Sequence, residues 1–207
     1  MKTLVLIDVQ NDFLPGGALE VPGSDAIVPI LNRLQPAFDL VVAAQDWHPA
    51  GHGSFASSHP GRQPFERIDL NGLDQTLWPD HCVQGSRGAE FSGELDTRRI
   101  EAIFRKGMDP GIDSYSAFFD NGRRKTTGLA DFLRGRGAKE LWLCGLAGDI
   151  CVHFSAMDAL HEGFAVNFIA DASTPLDAAN EAAHLAALHE RGARIVSSTE
   201  LPAGCPS

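Results

Sequence analysis

Six short apolar runs recur along the chain, most of them rich in Val, Ile, Leu or Phe and not alternating with polar residues. They lie at residues 3–8, 40–44, 100–104, 140–145, 165–170 and 195–197. Continuous apolar runs of this length are typical of strands that are covered on both faces, as in a parallel sheet. The pattern therefore predicts six strands of a mainly parallel sheet.

Segments with apolar residues at helical spacing lie between these runs. Helices are predicted at residues 24–34, with Ser24 or Asp25 as the N-cap, at 149–161 and at 176–191. Strands that alternate with helices favour a doubly wound α/β sandwich, in which helices flank both faces of the sheet. The chain has no internal repeat and no linker, so we expect residues 1–207 to form a single domain.

Four chemically suited residues follow four different predicted strands. Asp8, Asp46, Lys106 and Cys151 each lie at, or just beyond, the carboxyl end of a strand, where ligands bind in doubly wound sheets. Residues 47–90 are rich in Gly, Pro, Ser and His and show little periodicity. We therefore expect them to form an irregular excursion over this edge, since loops of such length in compact domains are usually functional.

A carboxylate base and a cysteine nucleophile are the minimum set for covalent acyl chemistry. Cys151 opens a predicted helix, whose N-terminal N–H groups should stabilise a thiolate. The alternatives are simpler: Asp8 could cap a turn, Lys106 could end a strand in solvent, and a lone cysteine is often a core residue. We assign the core role to Cys144, which lies inside a predicted strand.

A metal site is the second chemical signal. Asp46 and His48 are two residues apart and project from the same side of an extended segment, while His81 arrives from the long loop. Two histidines and one carboxylate leave coordination positions open on a divalent ion, and the set suits zinc, iron or manganese. By spacing alone, the three are equally compatible with ordinary loop and surface residues.

Composition excludes several classes of partner. The net charge of −10 and the lack of a basic cluster argue against a nucleic-acid partner. Asp8 interrupts the first apolar run before it reaches the length of a signal peptide or membrane span, so we expect a cytoplasmic protein with no membrane contact. A monomer and a small homo-oligomer are both compatible with the chain.

Four cysteines are too few for a disulfide framework and should be reduced: Cys82, Cys144, Cys151 and Cys205.

Five short strings carry a family resemblance. They are Ile7-Asp8-Val9-Gln10-Asn11-Asp12-Phe13, Asp46-Trp47-His48, Trp78-Pro79-Asp80-His81-Cys82, Arg105-Lys106-Gly107 and Gly145-Leu146-Ala147-Gly148-Asp149-Ile150-Cys151. Together they resemble the nicotinamidase (pyrazinamidase) family of the isochorismatase-like cysteine hydrolases, which cleave a carboxamide to an acid and ammonia. The resemblance covers residues 7 to 174, and it departs from the commonest family string at Gly148, where Thr is frequent.

The resemblance implies a catalytic triad of Asp8, Lys106 and Cys151 that works through a thioester. It also implies a cis peptide between Leu146 and Ala147, with an oxyanion hole made by the N–H groups of Ala147 and Cys151. Asp46, His48 and His81 would hold one divalent ion, with zinc as the first choice and iron or manganese as alternatives. Open positions on the ion would take water and the ring nitrogen of the substrate.

The substrates implied are nicotinamide, within NAD salvage, and pyrazinamide. Phe13, Trp78 and Tyr115 would form the walls around a flat ring, although any single aromatic residue is more often part of a core. Ser54 should at most contact metal-bound water. His52 and His59 lie near enough to the predicted metal loop to be a further ligand or to contact one, but both are expected at the surface.

Two alternatives remain open from the sequence. The chain could be another hydrolase of the superfamily, acting on isochorismate, N-carbamoylsarcosine or a ureido acid, but such relatives generally lack the metal residues. It could also be a catalytically silent binding protein built on the same fold, which the intact Asp8, Lys106 and Cys151 disfavour.

Overall fold

The computed structural model describes residues 1–201, so Cys205 lies outside the described residues. The strands are β1 (Lys2–Ile7), β2 (Leu40–Asp46), β3 (Arg67–Leu70), β4 (Leu73–Thr76), β5 (Ile100–Lys106), β6 (Glu140–Leu146), β7 (Ala165–Thr174) and β8 (Arg194–Val196). Six of them form one sheet in the order β5-β2-β1-β6-β7-β8, and all of its neighbouring pairs are parallel. The predicted six-stranded sheet is confirmed.

Four α-helices lie between the strands. They are α1 (Val28–Leu34), α2 (Leu129–Gly135), α3 (His153–His161) and α4 (Glu181–Glu190). Three of them begin later than predicted, because short turns of other helical types precede them at Ser24–Ile27, Gly148–Val152 and Ala178–Asn180. The sequence analysis missed α2, since a seven-residue helix spans too few turns to give a clear period.

Two hydrophobic cores cover the two faces of the sheet. Along β1, Leu4 and Leu6 belong to the core that includes the buried residues of α1. Val5 and Ile7 point to the opposite face, into the core built with α2, α3 and α4. Both faces of the strand are therefore dry, which explains why its sequence is uniformly apolar and confirms the doubly wound architecture.

The order of the strands reverses between β1 and β6. From β1 the sheet grows outward through β2 to β5, and from β6 it grows in the other direction through β7 to β8. A reversal of this kind leaves a crevice beyond the carboxyl ends of the two central strands. Asp8 directly follows β1 and Ala147 directly follows β6, so the crevice opens where the sequence places its reactive groups.

The long excursion is more regular than predicted. Within residues 47–90, β3 and β4 form an antiparallel hairpin in which Leu70 pairs with Leu73. Its turn is Asn71-Gly72, and both residues have positive φ angles of 54° and 86°. Asn-Gly between two short strands is a strong hairpin signal, because type I′ turns need this backbone conformation twice in succession. The signal was present in the sequence and was missed.

Among residues 1–201, no helix combines the length and apolar character that crossing a bilayer requires.

Gly145 fixes how closely β6 can approach β1. A Cβ at this position would lie 2.0 Å from the carbonyl oxygen of Ile7, and the backbone φ is +129°. We therefore expect Gly145→Ala to lower the free energy of unfolding by about 3 kcal/mol or more, through overpacking and backbone strain.

The matched control is Gly135→Ala, because a Cβ there meets no atom within 4 Å. Replacing a helical glycine by alanine should leave stability unchanged or raise it by about 0.5–1 kcal/mol. Urea unfolding followed by circular dichroism measures both variants. Equal stability of the two would contradict the tight contact between β1 and β6.

Candidate active site

The structure brings the four predicted residues together at the carboxyl edge of the sheet. Asp8 follows β1, while Asp46 and Lys106 are the last residues of β2 and β5, each strand running two residues further than predicted. Asp46 pairs with Lys106 in the strand register. Cys151 lies in the turn Gly148–Val152 that joins β6 to α3, and it is buried.

Lys106 lies at the centre of this group. Its Nζ is 2.8 Å from Asp8 Oδ2, 2.9 Å from Asp46 Oδ1 and 3.5 Å from Cys151 Sγ, and it donates to the Ser114 carbonyl oxygen at 3.0 Å. Burial alone would lower the pKa of Lys106, but the two carboxylates raise it well above its usual value. The side chain is therefore a buried, permanent cation rather than a solvated end of a strand.

Asp8 combines an unusual backbone with an unusual titration. Its φ is 51°, a left-handed conformation that costs free energy outside glycine and occurs preferentially at functional sites. The side chain is fully buried, and burial raises the pKa of Asp8 to about 6, with Asp46 adding to the rise and Lys106 opposing it. A carboxyl group with this pKa can accept and return a proton near neutral pH.

The expectation of a stabilised thiolate at Cys151 is wrong. Burial raises the pKa of the Cys151 thiol well above its usual value; Lys106 opposes this rise, and the negative charges of Asp8 and Asp46 add to it. The residue also lies in a π-helical turn rather than at the first turn of a regular α-helix. The sulfur is thus a neutral thiol in the free protein, and attack requires a base.

Ala147 and Cys151 both line the pocket in front of the thiol. The peptide bond between Leu146 and Ala147 is cis, as the family resemblance implies. The Ala147 carbonyl oxygen accepts hydrogen bonds from the N–H groups of Ile150 and Val152, which fixes the turn that carries Cys151. This turn therefore places the two predicted oxyanion-hole residues side by side in the lining of the pocket.

The predicted metal residues also meet. One oxygen of Asp46, Oδ2, lies 3.4 Å from His81 Nε2 and 3.8 Å from His48 Nδ1. All three side chains are buried, and their ligand atoms lie within 4.8 Å of one another. Burial would raise the pKa of Asp46, but His48 and Lys106 hold it below its usual value, so the carboxylate stays ionised.

The hydrogen bonds of the two histidines suit a metal ion. His81 Nδ1 lies 2.8 Å from the Pro79 carbonyl oxygen, so it carries the hydrogen and leaves Nε2 free on the side of Asp46. His48 Nε2 lies 3.0 Å from Asp113 Oδ1. His48 Nδ1 is buried and has no hydrogen-bond partner within residues 1–201. A buried ring nitrogen that faces a carboxylate and has no other partner among these residues fits a divalent cation.

An apolar pocket lies between the thiol and the metal residues. Its lining includes the three predicted aromatic residues, Phe13, Trp78 and Tyr115, together with Asp46, His81 and Cys151. The Trp78 and Tyr115 rings pack edge to face with their centroids 6.1 Å apart, and Phe13 packs in the same manner on His81 at 5.5 Å. Aromatic walls therefore connect the cysteine side of the pocket to the metal side.

The expectation of a surface position for His52 is wrong. Its ring is fully buried and packs edge-on against His48 with the centroids 4.7 Å apart. His52 Nδ1 lies 2.8 Å from Ser54 Oγ, and Nε2 lies 2.7 Å from the Asp109 carbonyl oxygen. His59 is half-buried, with Nε2 2.7 Å from the Gly53 carbonyl oxygen. Both rings find backbone partners, which allows histidine to leave the surface.

Two residues that contact the predicted metal residues, one through a side chain and one through the backbone, were not predicted. Asp113 contacts His48. Burial would raise the pKa of Asp113, but the stronger effect of His48 holds it well below its usual value. The Gln10 side chain donates to the Asp46 carbonyl oxygen and accepts from the Asp46 N–H, both at 2.8 Å. Gln10 was visible as a polar residue within an apolar motif, whereas Asp113 gave no local signal.

Comparisons with known proteins agree with this geometry. The isochorismatase domain family matches residues 2–200. The chain is 53% identical to the nicotinamidase of Escherichia coli (strain K12) over 174 residues, which cover 82% of this chain and 81% of that protein. The chain therefore belongs to the isochorismatase family, and the resemblance found in its motifs is confirmed.

Solved structures give the same result. The nicotinamidase/pyrazinamidase of Acinetobacter baumanii superposes with a TM-score of 0.94 at 42% identity, over 97% of this chain and 98% of that one. The pyrazinamidase of Pyrococcus horikoshii, solved in complex with zinc, superposes with a TM-score of 0.78 at 36% identity, over 95% of this chain and 98% of that one.

Gly107 lets the backbone pass directly beneath the metal residues. A Cβ there would lie 2.7 Å from His48 Nε2 and 3.2 Å from Asp46 Oδ1, and φ is +69°. We expect Gly107→Ala to displace His48 and to weaken zinc binding by about tenfold or more. Zinc affinity is measured by competition with a chromophoric chelator.

Gly93→Ala is the control, because a Cβ there meets nothing within 4 Å. Equal affinities in the two variants would contradict the close approach.

Proposed function

We propose that the protein hydrolyses the amide C–N bond of nicotinamide to give nicotinate and ammonia, with pyrazinamide as a second substrate. One observation carries the proposal: a buried Asp8-Lys106-Cys151 cluster and a two-histidine, one-carboxylate set face the same aromatic-lined pocket. The identity of 53% to a nicotinamidase supports the choice of substrate. The reaction would serve the salvage of pyridine nucleotides.

The pocket would hold the flat ring by apolar burial and by contact with aromatic faces. Phe13, Trp78 and Tyr115 supply these walls, and the carboxamide would then point towards Cys151. Tyr115 is held in place by a hydrogen bond from Gln75 Nε2 to its hydroxyl oxygen at 2.9 Å. The walls favour a flat aromatic ring over a flexible aliphatic amide.

A divalent ion would be held by Asp46 Oδ2, His48 Nδ1 and His81 Nε2, since the carboxylate oxygen lies 3.8 Å from the His48 nitrogen and 3.4 Å from the His81 nitrogen. Zinc is the first choice because a pyrazinamidase of similar fold was solved with zinc, while iron and manganese also suit the ligands. When bound, such an ion supplies a Lewis-acidic position for the ring nitrogen. Its contribution is therefore orientation of the substrate.

Acylation uses the residues around Lys106. Asp8 accepts the proton of the Cys151 thiol, and the sulfur attacks the carboxamide carbon. The N–H groups of Ala147 and Cys151 donate to the oxygen as negative charge develops on it. Asp8 then returns the proton to the departing nitrogen, so that the C–N bond breaks, ammonia leaves and a thioester remains on Cys151.

Deacylation reverses the roles of the same groups. Asp8, again ionised, takes a proton from water, which attacks the thioester carbon. The C–S bond breaks, and the proton on Asp8 returns to the sulfur, which restores the thiol. The acid that is released loses its carboxyl proton to water and becomes nicotinate. Lys106 keeps its charge throughout both steps and holds Asp8 beside the sulfur. Its Nζ lies 2.8 Å from Asp8 Oδ2 and 3.5 Å from Cys151 Sγ.

The two alternatives are less well supported. Another amidase of the superfamily would not need the converging Asp46, His48 and His81 side chains, all of which are buried at the pocket. A silent binding protein would have no use for the costly burial of Asp8 and Lys106 beside a cysteine. The nicotinamidase proposal accounts for both groups of residues.

The first test is ammonia release from nicotinamide. We expect activity to fall on treatment with a chelator and to return with zinc, iron or manganese. Cys151→Ala should lower kcat/KM by at least about 10⁴-fold, because the nucleophile is lost. Cys144→Ala, which changes a core cysteine outside the pocket, should keep the activity. Turnover by Cys151→Ala at the rate of Cys144→Ala would refute the mechanism.

The pH dependence tests Asp8. The base must be ionised, and its pKa is raised to about 6, so kcat/KM should be constant above that value and fall as pH decreases through it. Asp8→Asn should lose at least about 10²-fold in activity. Bound metal is measured at every pH, so that loss of metal and protonation of Asp8 are distinguished. A kcat/KM that stays constant down to pH 4 with metal bound would contradict the role of Asp8.

A further inference from the structure

Three consecutive residues contact three different parts of the site. Asp113 Oδ1 lies 3.0 Å from the metal residue His48, and the Ser114 carbonyl oxygen accepts from Lys106 Nζ at 3.0 Å. The Tyr115 side chain lines the substrate pocket. Asn121 fixes this segment from behind, since its side chain accepts from the Tyr115 N–H at 2.9 Å and its N–H donates to the Asp113 carbonyl oxygen at 2.7 Å.

Asp113 acts as an acceptor towards three donors. His48 Nε2 and the Ser114 N–H approach Oδ1 at 3.0 and 2.7 Å, and Gln75 Nε2 approaches Oδ2 at 3.3 Å. The residue is only 3% exposed. Oδ1 already accepts from the Ser114 N–H and Oδ2 from the Gln75 amide, so both oxygens act as acceptors and the hydrogen at the third contact belongs to His48 Nε2.

The choice of ring nitrogen decides what the other nitrogen can do. A neutral imidazole carries one hydrogen, so a protonated Nε2 leaves a lone pair on Nδ1, which is the atom 3.8 Å from Asp46 Oδ2. In the other tautomer, an Nδ1–H group would point at Asp46 and could donate to it. That hydrogen bond would occupy two of the three metal ligands at once.

We propose that Asp113 is a positioning residue that keeps His48 in the Nε2–H tautomer and so presents Nδ1 as a metal ligand. The inference rests on the metal site of the proposed function and adds the residue that organises it. Gln75 extends the arrangement to the pocket, because its Nε2 contacts both Asp113 Oδ2 and the Tyr115 hydroxyl. The orientation of the metal ligand is thereby linked to the aromatic wall that contacts the substrate.

The variant that tests the inference is Asp113→Asn, since an amide can donate to Nε2 and thus permit the other tautomer. Its control is Asp109→Asn, which removes the same charge from the same loop, where the side chain pairs with Lys125 and accepts from the Gly111 N–H. Zinc affinity is measured by competition with a chromophoric chelator. We expect about 10- to 100-fold weaker binding in Asp113→Asn and unchanged binding in Asp109→Asn. Equal affinities in the two variants would overturn the inference.

A second measurement needs no variant and does not depend on how Asp113→Asn folds. In the zinc-loaded protein labelled with ¹⁵N histidine, NMR should show His48 with a proton on Nε2 and zinc on Nδ1. Zinc on Nε2, or a proton on Nδ1, overturns the inference while the amidase proposal stands. A protein that hydrolyses nicotinamide but binds no zinc, iron or manganese overturns the metal site and this inference together, and again leaves the cysteine chemistry intact.

Discussion

The active site depends on one buried ammonium group held between two carboxylates. Lys106, at the end of β5, reaches Asp46 on the neighbouring strand and Asp8 on the strand beyond it, at 2.9 and 2.8 Å. An unpaired charge in such an interior would cost several kcal/mol, so the Lys106 cation favours the ionised forms of both carboxylates, and they favour its charged form. The parallel register that pairs Asp46 with Lys106 is what places the cation there. The strand register therefore determines how these three charges are arranged.

Asp46 joins the two halves of the site, because its two oxygens face in different directions. Oδ1 contacts Lys106, which belongs to the cysteine half, while Oδ2 faces His81 and His48 in the metal half. In the cysteine half, a thiol with a raised pKa lies beside the carboxyl group of Asp8, whose pKa is about 6. A neutral thiol is a weaker nucleophile than a thiolate, so attack by Cys151 depends on proton transfer to Asp8.

The sequence predicted whatever follows from strand period and from short motifs. Six parallel strands, and reactive residues at the ends of four of them, could be predicted because parallel strands bring their carboxyl ends to one edge. The burial of His52 could not, since it depends on a hydrogen bond to the distant Asp109 carbonyl oxygen. The same holds for Asp113, which contacts His48 across 65 positions of sequence. The raised pKa of Cys151 follows from the number of charges and apolar groups packed around it, a property of the whole fold.

The central claim is that Cys151 carries the acyl group of nicotinamide during turnover. Acid quenching during steady-state turnover at saturating nicotinamide, followed by digestion and mass spectrometry, tests it most directly. If Cys151 is the nucleophile, a nicotinoyl thioester should be found on the peptide that contains Cys151 in the wild-type protein, and it should be absent after Cys151→Ala. A nicotinoyl group on any other side chain, or full turnover by the protein after its Cys151 has been replaced, would contradict it.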